Sequence, residues 1–258
     1  MRVHGALSPR QAATIAGGAY LITDVTSIIA EFYVRPMLLA GSDVVRTASN
    51  IMAHEQLFRV VIVSDLLTCA GVVVLNLALY ELLAPVHRSI ARLAALWRLA
   101  EAFVGSAIVV CSFVVLSVLS GADYLQAFRP GELLALARLL VGARTSGYLI
   151  VLLFFGLGST AYLYLLVRSR YVPKAIALLG LAGSALVVLF VLGRMLFPAL
   201  LAGASAAVLA LPAVARGLLA ILFLPVLAFE IILGLWLLVK GVRTPGFVPA
   251  TGASGSSQ

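Results

Sequence analysis

Long apolar runs alternate with short segments of charged, glycine and proline residues along most of the chain. About 20 apolar residues in a helix cross the hydrocarbon core of a bilayer, and six runs approach that length. The runs are rich in Leu, Ala and Val and do not alternate with polar residues, so they predict helices and not the strands of a barrel. The predicted spans cover residues 13–40, 57–83, 94–119, 146–166, 175–197 and 218–239.

The composition supports this interpretation. The chain has 258 residues, of which 63% are hydrophobic and 11% are charged, and its mean hydropathy is +1.14. These values lie outside the range of soluble domains. The sequence therefore predicts an all-α integral membrane protein, a bundle of six transmembrane helices.

We expect one helical domain over residues 1–241, followed by a disordered tail over 242–258 that is rich in Gly, Ser and Pro. Residues 198–214 are apolar but too short between prolines to span, which indicates an interfacial or re-entrant segment. A seventh span is the alternative for that segment.

Arginine and lysine are more frequent in the loops on the side of the two termini. The positive-inside rule therefore places both termini in the cytoplasm. The net charge of +8 is attributed to this bias and to contact with lipid headgroups. No clustered basic patch with interleaved aromatic residues is present, so nucleic-acid binding is not expected.

The first predicted span carries a polar stripe made of Tyr20, Asp24, Ser27, Glu31 and Arg35. The steps of four, three, four and four residues place these side chains on one face of a helix. A charge that faces lipid is costly, so the stripe should point into the bundle. The spacing of Glu31 and Arg35 also predicts an ion pair.

The second span shows a similar pattern. His54, Asp65 and Asn76 are eleven residues apart, which is close to three helical turns. Glu55 and Arg59 are four residues apart and form the second predicted ion pair. We interpret both predicted pairs as structural.

Depth in the predicted topology sorts the polar groups into two layers. The outer layer contains Glu31, Arg35, His54, Arg59, Asp65 and Arg194. The inner layer contains Asp24, Asn76, Arg98, Glu101 and Glu230. Because the inner layer has three carboxyl groups and one guanidinium, at least one carboxyl should hold a proton at neutral pH if the groups share a cavity.

Buried acids inside a membrane are candidates for function. The candidate ligand-binding residues are Asp24, Asp65, Asn76, Arg98, Glu101 and Glu230, and the candidate catalytic acids are Asp24, Glu101 and Glu230. The alternative role for Asn76 is a hydrogen bond between helices. Whether a reaction is catalysed stays open at this point.

Motifs for metals and cofactors are missing from the sequence. "HEQLF" lacks the second histidine of a zinc-protease helix, and Cys69 and Cys111 are isolated from each other. "GLGSTA" at 156–161 lies in an apolar helix with no preceding strand, so we interpret its small residues as close helix packing. No metal and no cofactor is predicted.

The amino-acid sequences of several segments resemble those of a known family. These segments are "AGGAYLITDVTSIIAEFYVR", "NIMAHEQLFRVVIVSDLL", "ALYELLAPVHRSIARLAALWRLAEA", "YLIVLLFFGLGSTAYLYLLVRSRYVPKAIALLGLAG" and a last Glu before "LWLLVKGV". The chain resembles the bacterial membrane family catalogued as domain of unknown function 4386. The resemblance implies a bacterial multi-pass helical protein, usually of about six spans, with no assigned biochemical role. It places matching family residues at Glu31, Arg35, Arg59, Asp65, Arg98, Glu101 and Glu230.

Three function classes remain open. The first is binding of a lipid or another hydrophobic small molecule in a polar-lined cavity inside the membrane. The second is a small proton-coupled transporter, and the third is an accessory or regulatory subunit whose polar network only specifies helix packing. Membrane lipids are the expected partners, and faces of small residues would permit a homodimer.

Overall fold

The computed structural model describes residues 7–41, 43–120, 127–197 and 214–242, with side chains at all of these positions except 32 and 214–224. The predicted interfacial segment at 198–214 and the predicted tail at 242–258 lie outside the described residues, apart from one residue at the edge of each.

The described residues form helices and contain no strands, which confirms the all-α prediction. Helix α1 covers Pro9–Leu38 and includes a π-helical segment at Ile29–Val34. The following helices are α2 (Val44–Ala53), α3 (Glu55–Leu83), α4 (Arg88–Leu119), α5 (Pro130–Ser169), α6 (Lys174–Leu196) and α7 (Val214–Val239).

Five of these helices, α1, α3, α4, α5 and α6, are long and apolar enough to cross a membrane. The sixth predicted span lies within α7, whose fully described part is the shorter apolar stretch Pro225–Val239. The count of six spans and the cytoplasmic location of the termini stay predictions.

The long helices pack as a closed ring in chain order. Helix α1 contacts α3, each following long helix contacts the next, and α7 returns to α1. The short α2 packs against the end of α1 and against α3, α4 and α5. Large apolar side chains on the outer faces are exposed, among them Leu77, Phe103 and Leu189. By contrast, Asp24, Arg35, Asn76, Arg98 and Glu101 are buried.

Small residues allow the ring to close between α1 and α7. A Cβ atom on Gly17 would lie 2.6 Å from the carbonyl oxygen of Gly234 and 2.8 Å from the backbone nitrogen of Leu238. Similar close approaches involve Gly156 with Val188 of α6. These contacts are of the kind by which glycine lets helix backbones approach each other.

Helix α5 is longer than the sequence pattern predicts. It begins at Pro130, whereas the predicted span begins at residue 146 and a loop is expected before it. Pro130 occupies the first turn, and the Glu132 carboxylate accepts a hydrogen bond of 2.9 Å from the backbone N–H of Arg129, so the helix start is well capped. At 1.5 Å per residue, α5 is about 60 Å long, which is about twice the thickness of the hydrocarbon core. Charged residues within α5 therefore do not mark the end of the helix.

The predicted loop before α3 is also partly helical. It contains α2, which begins after Asp43, whose carboxylate accepts a hydrogen bond of 2.9 Å from the backbone N–H of Arg46. An aspartate at this position satisfies one of the unpaired donors of the first turn. The search for apolar runs misses α2 because the helix is short and carries polar residues on its exposed face.

The π-helical segment of α1 has a local cause in Pro36. Proline has no N–H, so it cannot donate to the carbonyl of the residue four positions earlier, and its ring crowds that carbonyl. The backbone N–H of Arg35 instead donates to Ala30, five residues earlier. The wider turn places Glu31 and Arg35 at the end of α1, and π-helical turns are frequent at functional sites.

Candidate functional site

The outer charged residues form one compact cluster. Arg35 Nε donates to Glu31 Oε2 at 2.9 Å, and Arg35 Nη2 donates to both oxygens of Asp65 at 3.0 and 3.1 Å. Arg144 Nη2 contacts the same Asp65 carboxylate at 3.1 Å and Glu31 Oε1 at 3.4 Å. We call these four residues the outer cluster, and they join α1, α3 and α5.

Two guanidinium groups and two carboxylates balance the charge of the outer cluster. The Arg35 side chain is 10% exposed and the Arg144 side chain is 13% exposed. A buried ion pair is stable only when its geometry is good and its other hydrogen-bonding atoms are satisfied. The shared contacts of Arg35 with Glu31 and Asp65 meet this condition.

Sequence reasoning missed Arg144 because it lies in a segment predicted as a loop. Pro130 and Glu132 lie fourteen and twelve residues before Arg144 and mark the start of a helix. These two residues could have placed Arg144 in a helix. Once α5 begins there, Arg144 lies within a helix that passes the ends of α1 and α3.

The predicted pair of Glu55 and Arg59 is separate from the outer cluster. Arg59 Nη2 lies 2.7 Å from Glu55 Oε1, and the two side chains are 50% and 35% exposed. An exposed pair of this kind contributes little to stability. Among the other outer-layer residues, His54 lies at the junction of α2 and α3 and Arg194 lies near the end of α6.

The inner charged residues form a second cluster in the interior of the ring. Arg98 Nη1 lies 2.7 Å from Glu101 Oε2, and both residues belong to α4. The guanidinium of Arg98 also lies 5.1 Å from the ring centre of Phe155, at cation–π distance. Gly158 makes room for the Arg98 side chain, since a Cβ there would lie 2.7 Å from Arg98 Cγ.

Asp24 of α1 and Glu230 of α7 complete this inner cluster. Their carboxyl groups lie within hydrogen-bonding distance of each other. Asp24 is buried, and its Oδ2 receives no hydrogen bond from the residues that the structure describes. Glu230 is half-buried. Tyr20, one turn before Asp24, is close enough to interact electrostatically with all four charged groups.

Asn76 connects three helices next to the inner cluster. Its Nδ2 donates to the carbonyl of Ala95 in α4 at 3.2 Å, and its Oδ1 accepts a hydrogen bond of 2.7 Å from the hydroxyl of Tyr162 in α5. Both hydrogen bonds of Asn76 join different helices, which is what a residue that holds helices together must do. Tyr162 has no charge and lies in an apolar run, so the sequence pattern does not single it out.

Polar side chains also lie between the two clusters. Cys69 of α3 is close to Ser106 of α4 and lies within electrostatic range of both Asp65 and Glu101. The hydroxyl of Ser106 donates to the carbonyl of Ala102 at 2.8 Å. Cys69 therefore lies within range of both clusters. It also packs beside Gly105, where α3 contacts α4.

The arrangement offers hydrogen-bonding groups and no metal centre. Within the described ranges, no group of three His, Cys, Asp or Glu side chains has the geometry to hold a metal ion. The inner carboxyls can accept hydrogen bonds or exchange a proton, and the outer guanidiniums can donate hydrogen bonds.

Apolar helices of spanning length, packed as a ring around two buried clusters of charged side chains, fit a helical membrane protein. The model of the family described as "Domain of unknown function (DUF4386)" matches residues 15–241, and the chain belongs to this family. The resemblance found in the sequence is thereby confirmed. No curated protein and no solved structure matches the chain.

Proposed function

We propose that the protein binds a lipid or another hydrophobic small molecule inside the membrane, with the polar headgroup at Asp24 and Glu230. The observation that carries this proposal is the contact between these two carboxyl groups. Ionised carboxylate oxygens only accept hydrogen bonds, so this contact needs a donor. That donor is either a proton on one of the two carboxyl groups or a hydroxyl or amine group of a ligand beside them.

The neighbouring charges favour a donor from outside the protein. Arg98 is the guanidinium of the inner cluster, and it is already paired with Glu101 at 2.7 Å. The charge of Arg98 also acts on Asp24 and Glu230, so one guanidinium serves three carboxyl groups in the inner cluster. Glu230 is partly buried on α7, and apolar side chains beside it suit a hydrocarbon tail.

Native mass spectrometry with lipid extraction on gently purified protein tests the proposal. We expect one hydrophobic adduct on the wild type and its loss in Glu230→Gln and in Asp24→Asn, because an amide offers one acceptor where the carboxylate offers two. Glu55→Gln is the matched control, since it removes the same charge from an exposed pair. No adduct on folded wild type, or an adduct that persists in both inner variants, would contradict the proposal.

The second candidate is a small proton-coupled transporter, which the polar groups between the clusters favour. Cys69 and Ser106 lie between Asp65 and the inner carboxyls, so polar side chains run along the interior of the ring. Chains of acids are used as proton relays in membrane proteins. Proton uptake into proteoliposomes that Glu230→Gln abolishes would support this function, and an accessory subunit would show neither uptake nor an adduct.

We infer that the protein spans the bacterial inner membrane six times and that both termini lie in the cytoplasm. The support is the excess of Arg and Lys on one side of the predicted spans, together with the length of α7, which has 26 residues. In this orientation the outer cluster lies toward the periplasm and the inner cluster lies closer to the cytoplasm.

A further inference from the structure

A small cavity lies beside the outer cluster, where the end of α1, the start of α3 and the last part of α4 meet the first half of α5. Its volume is about 20 Å³, which is enough for one water-sized group. Its polar lining includes Arg35, Ser112 and Arg144, and its apolar lining includes Phe58, Val115 and Leu140. The cavity is distinct from the inner cluster at Asp24 and Glu230.

One donor in the lining is buried without a partner among the described residues. Arg144 Nε is buried and forms no hydrogen bond, although Nη2 of the same side chain contacts Glu31 and Asp65. Ser112 is 3% exposed and also lines the cavity. The hydroxyl of Thr145 is already used, because it donates to the carbonyl of Val141 at 2.9 Å. A buried donor without a partner is costly, so an acceptor is expected in the cavity.

The charge of the outer cluster restricts the kind of acceptor. Arg35 and Arg144 are already balanced by Glu31 and Asp65. A free anion would add an uncompensated negative charge at a partly buried site, which is unfavourable. A group with no net charge, such as a zwitterionic or uncharged headgroup, avoids this cost.

The depth of the cavity agrees with a lipid headgroup. Arg144 lies about 38 Å from Ser169 along α5, at 1.5 Å per residue, whereas the hydrocarbon core is about 30 Å thick. If the far end of α5 lies at the opposite membrane surface, Arg144 is at the level where headgroups begin. The apolar lining then continues toward the acyl chains.

We propose that this cavity is a lipid-binding site that takes one uncharged acceptor oxygen of a zwitterionic phospholipid. Arg144 Nε and the hydroxyl of Ser112 donate to this oxygen, and the charged part of the headgroup stays outside the cavity. The site is independent of ligand binding at the inner cluster. An ester carbonyl below the phosphate has this chemistry, whereas a phosphodiester oxygen inside the cavity would bring the same negative charge as free phosphate.

Titration of delipidated protein with a short-chain phosphatidylethanolamine, followed by native mass spectrometry, tests the site. We expect one bound lipid on the wild type and a dissociation constant raised about threefold to tenfold in Ser112→Ala, which corresponds to one hydrogen bond. Ser117→Ala is the matched control on the same helix, because its exposed hydroxyl is already bonded to the carbonyl of Phe113 at 3.1 Å. The control should bind like the wild type.

Arg144→Lys provides a second variant, because it keeps the positive charge but removes Nε of the guanidinium. We expect weaker lipid binding in this variant while a melting curve shows that it is folded. Phosphatidylglycerol and inorganic phosphate are the competing ligands, and both should bind more weakly than phosphatidylethanolamine.

Three results would overturn this inference. The first is equal lipid affinity in wild type, Ser112→Ala and Ser117→Ala. The second is tighter binding of inorganic phosphate or phosphatidylglycerol, which would make the site an anion site. The third is folded wild type that retains no lipid, which would leave a single ordered water as the occupant. Loss of the hydrophobic adduct at Glu230 would not affect any of these measurements.

Discussion

Arg35 and Arg59 each follow a glutamate by four residues, yet their surroundings differ. Arg35 is held by Glu31 and by both oxygens of Asp65, and its side chain is 10% exposed. Arg59 contacts Glu55 from a side chain that is 50% exposed. Water compensates the loss of an exposed partner, but it cannot reach most of the outer cluster. The two arginines therefore provide a matched comparison at the scale of single residues.

Arg35→Gln should lower the free energy of unfolding by about 3–5 kcal/mol, because it leaves Glu31 and Asp65 with too little positive charge in a buried place. Arg59→Gln should lower it by at most about 1 kcal/mol. Unfolding by dodecyl sulfate in mixed micelles, followed by circular dichroism, measures both values. Equal losses in the two variants would show that burial of the outer cluster does not determine its contribution.

At the scale of helices, the apolar pattern predicted the existence of the long helices better than their ends. The predicted span at 57–83 agrees closely with α3 at Glu55–Leu83, because charged and turn residues flank it at both ends. The predicted span at 146–166 is much shorter than α5 at Pro130–Ser169. Hydropathy detects the part of a helix that lies in the membrane, whereas capping residues determine where the helix begins.

The contact of α1 with α7 depends on Gly17, and Gly18 beside it provides the control. A Cβ on Gly17 would meet two backbone atoms of α7 at 2.6 and 2.8 Å, whereas a Cβ on Gly18 would meet nothing within 4 Å. Gly17→Ala should lower the free energy of unfolding by about 1–3 kcal/mol, because the helices must move apart. Gly18→Ala should be neutral or stabilising by up to about 1 kcal/mol, since alanine is the better helix former.

The same micelle unfolding assay compares the two alanine variants. If Gly17→Ala were as stable as Gly18→Ala, the close contact of α1 with α7 would not be required for the folded state. The same substitution should also separate Asp24 from Glu230, because these residues lie on the same two helices.

At the scale of the whole molecule, the ring brings distant parts of the chain together. Arg144 and Glu31 are 113 positions apart and lie 3.4 Å from each other. Asp24 and Glu230 come from the first and last helices of the ring, and they meet because α7 returns to α1. The inner cluster is thus a product of the closure of the ring, the outer cluster joins α1, α3 and α5 across its interior, and each cluster links three helices.

The proposed orientation is tested on the intact cell with single cysteines in a variant that carries Cys69→Ala and Cys111→Ala. Arg129→Cys, at the exposed start of α5, should react with a membrane-impermeant maleimide added from outside once the outer membrane is permeabilised. Arg88→Cys, at the exposed start of α4, should react only after the inner membrane is broken. The opposite pattern would invert the topology, and equal labelling from outside would contradict an odd number of crossings between the two sites.

The sequence by itself determined the helical class and the apolar faces, and it singled out most of the charged residues that the two clusters contain. These properties follow from composition and from a helical period of 3.6 residues, which are local. It also identified Glu31, Arg35, Asp24 and Glu230 as inward-facing, because charge is costly against lipid.

Only the tertiary structure decided which of these groups meet. It brought Arg144 into the outer cluster and Tyr162 onto Asn76, and it left Glu55 and Arg59 exposed. The physical reason is that partner choice depends on how closely helix backbones approach and how far each helix continues. These distances are set by contacts between residues far apart in the chain, such as Gly17 with Gly234, and no periodicity within one helix contains them.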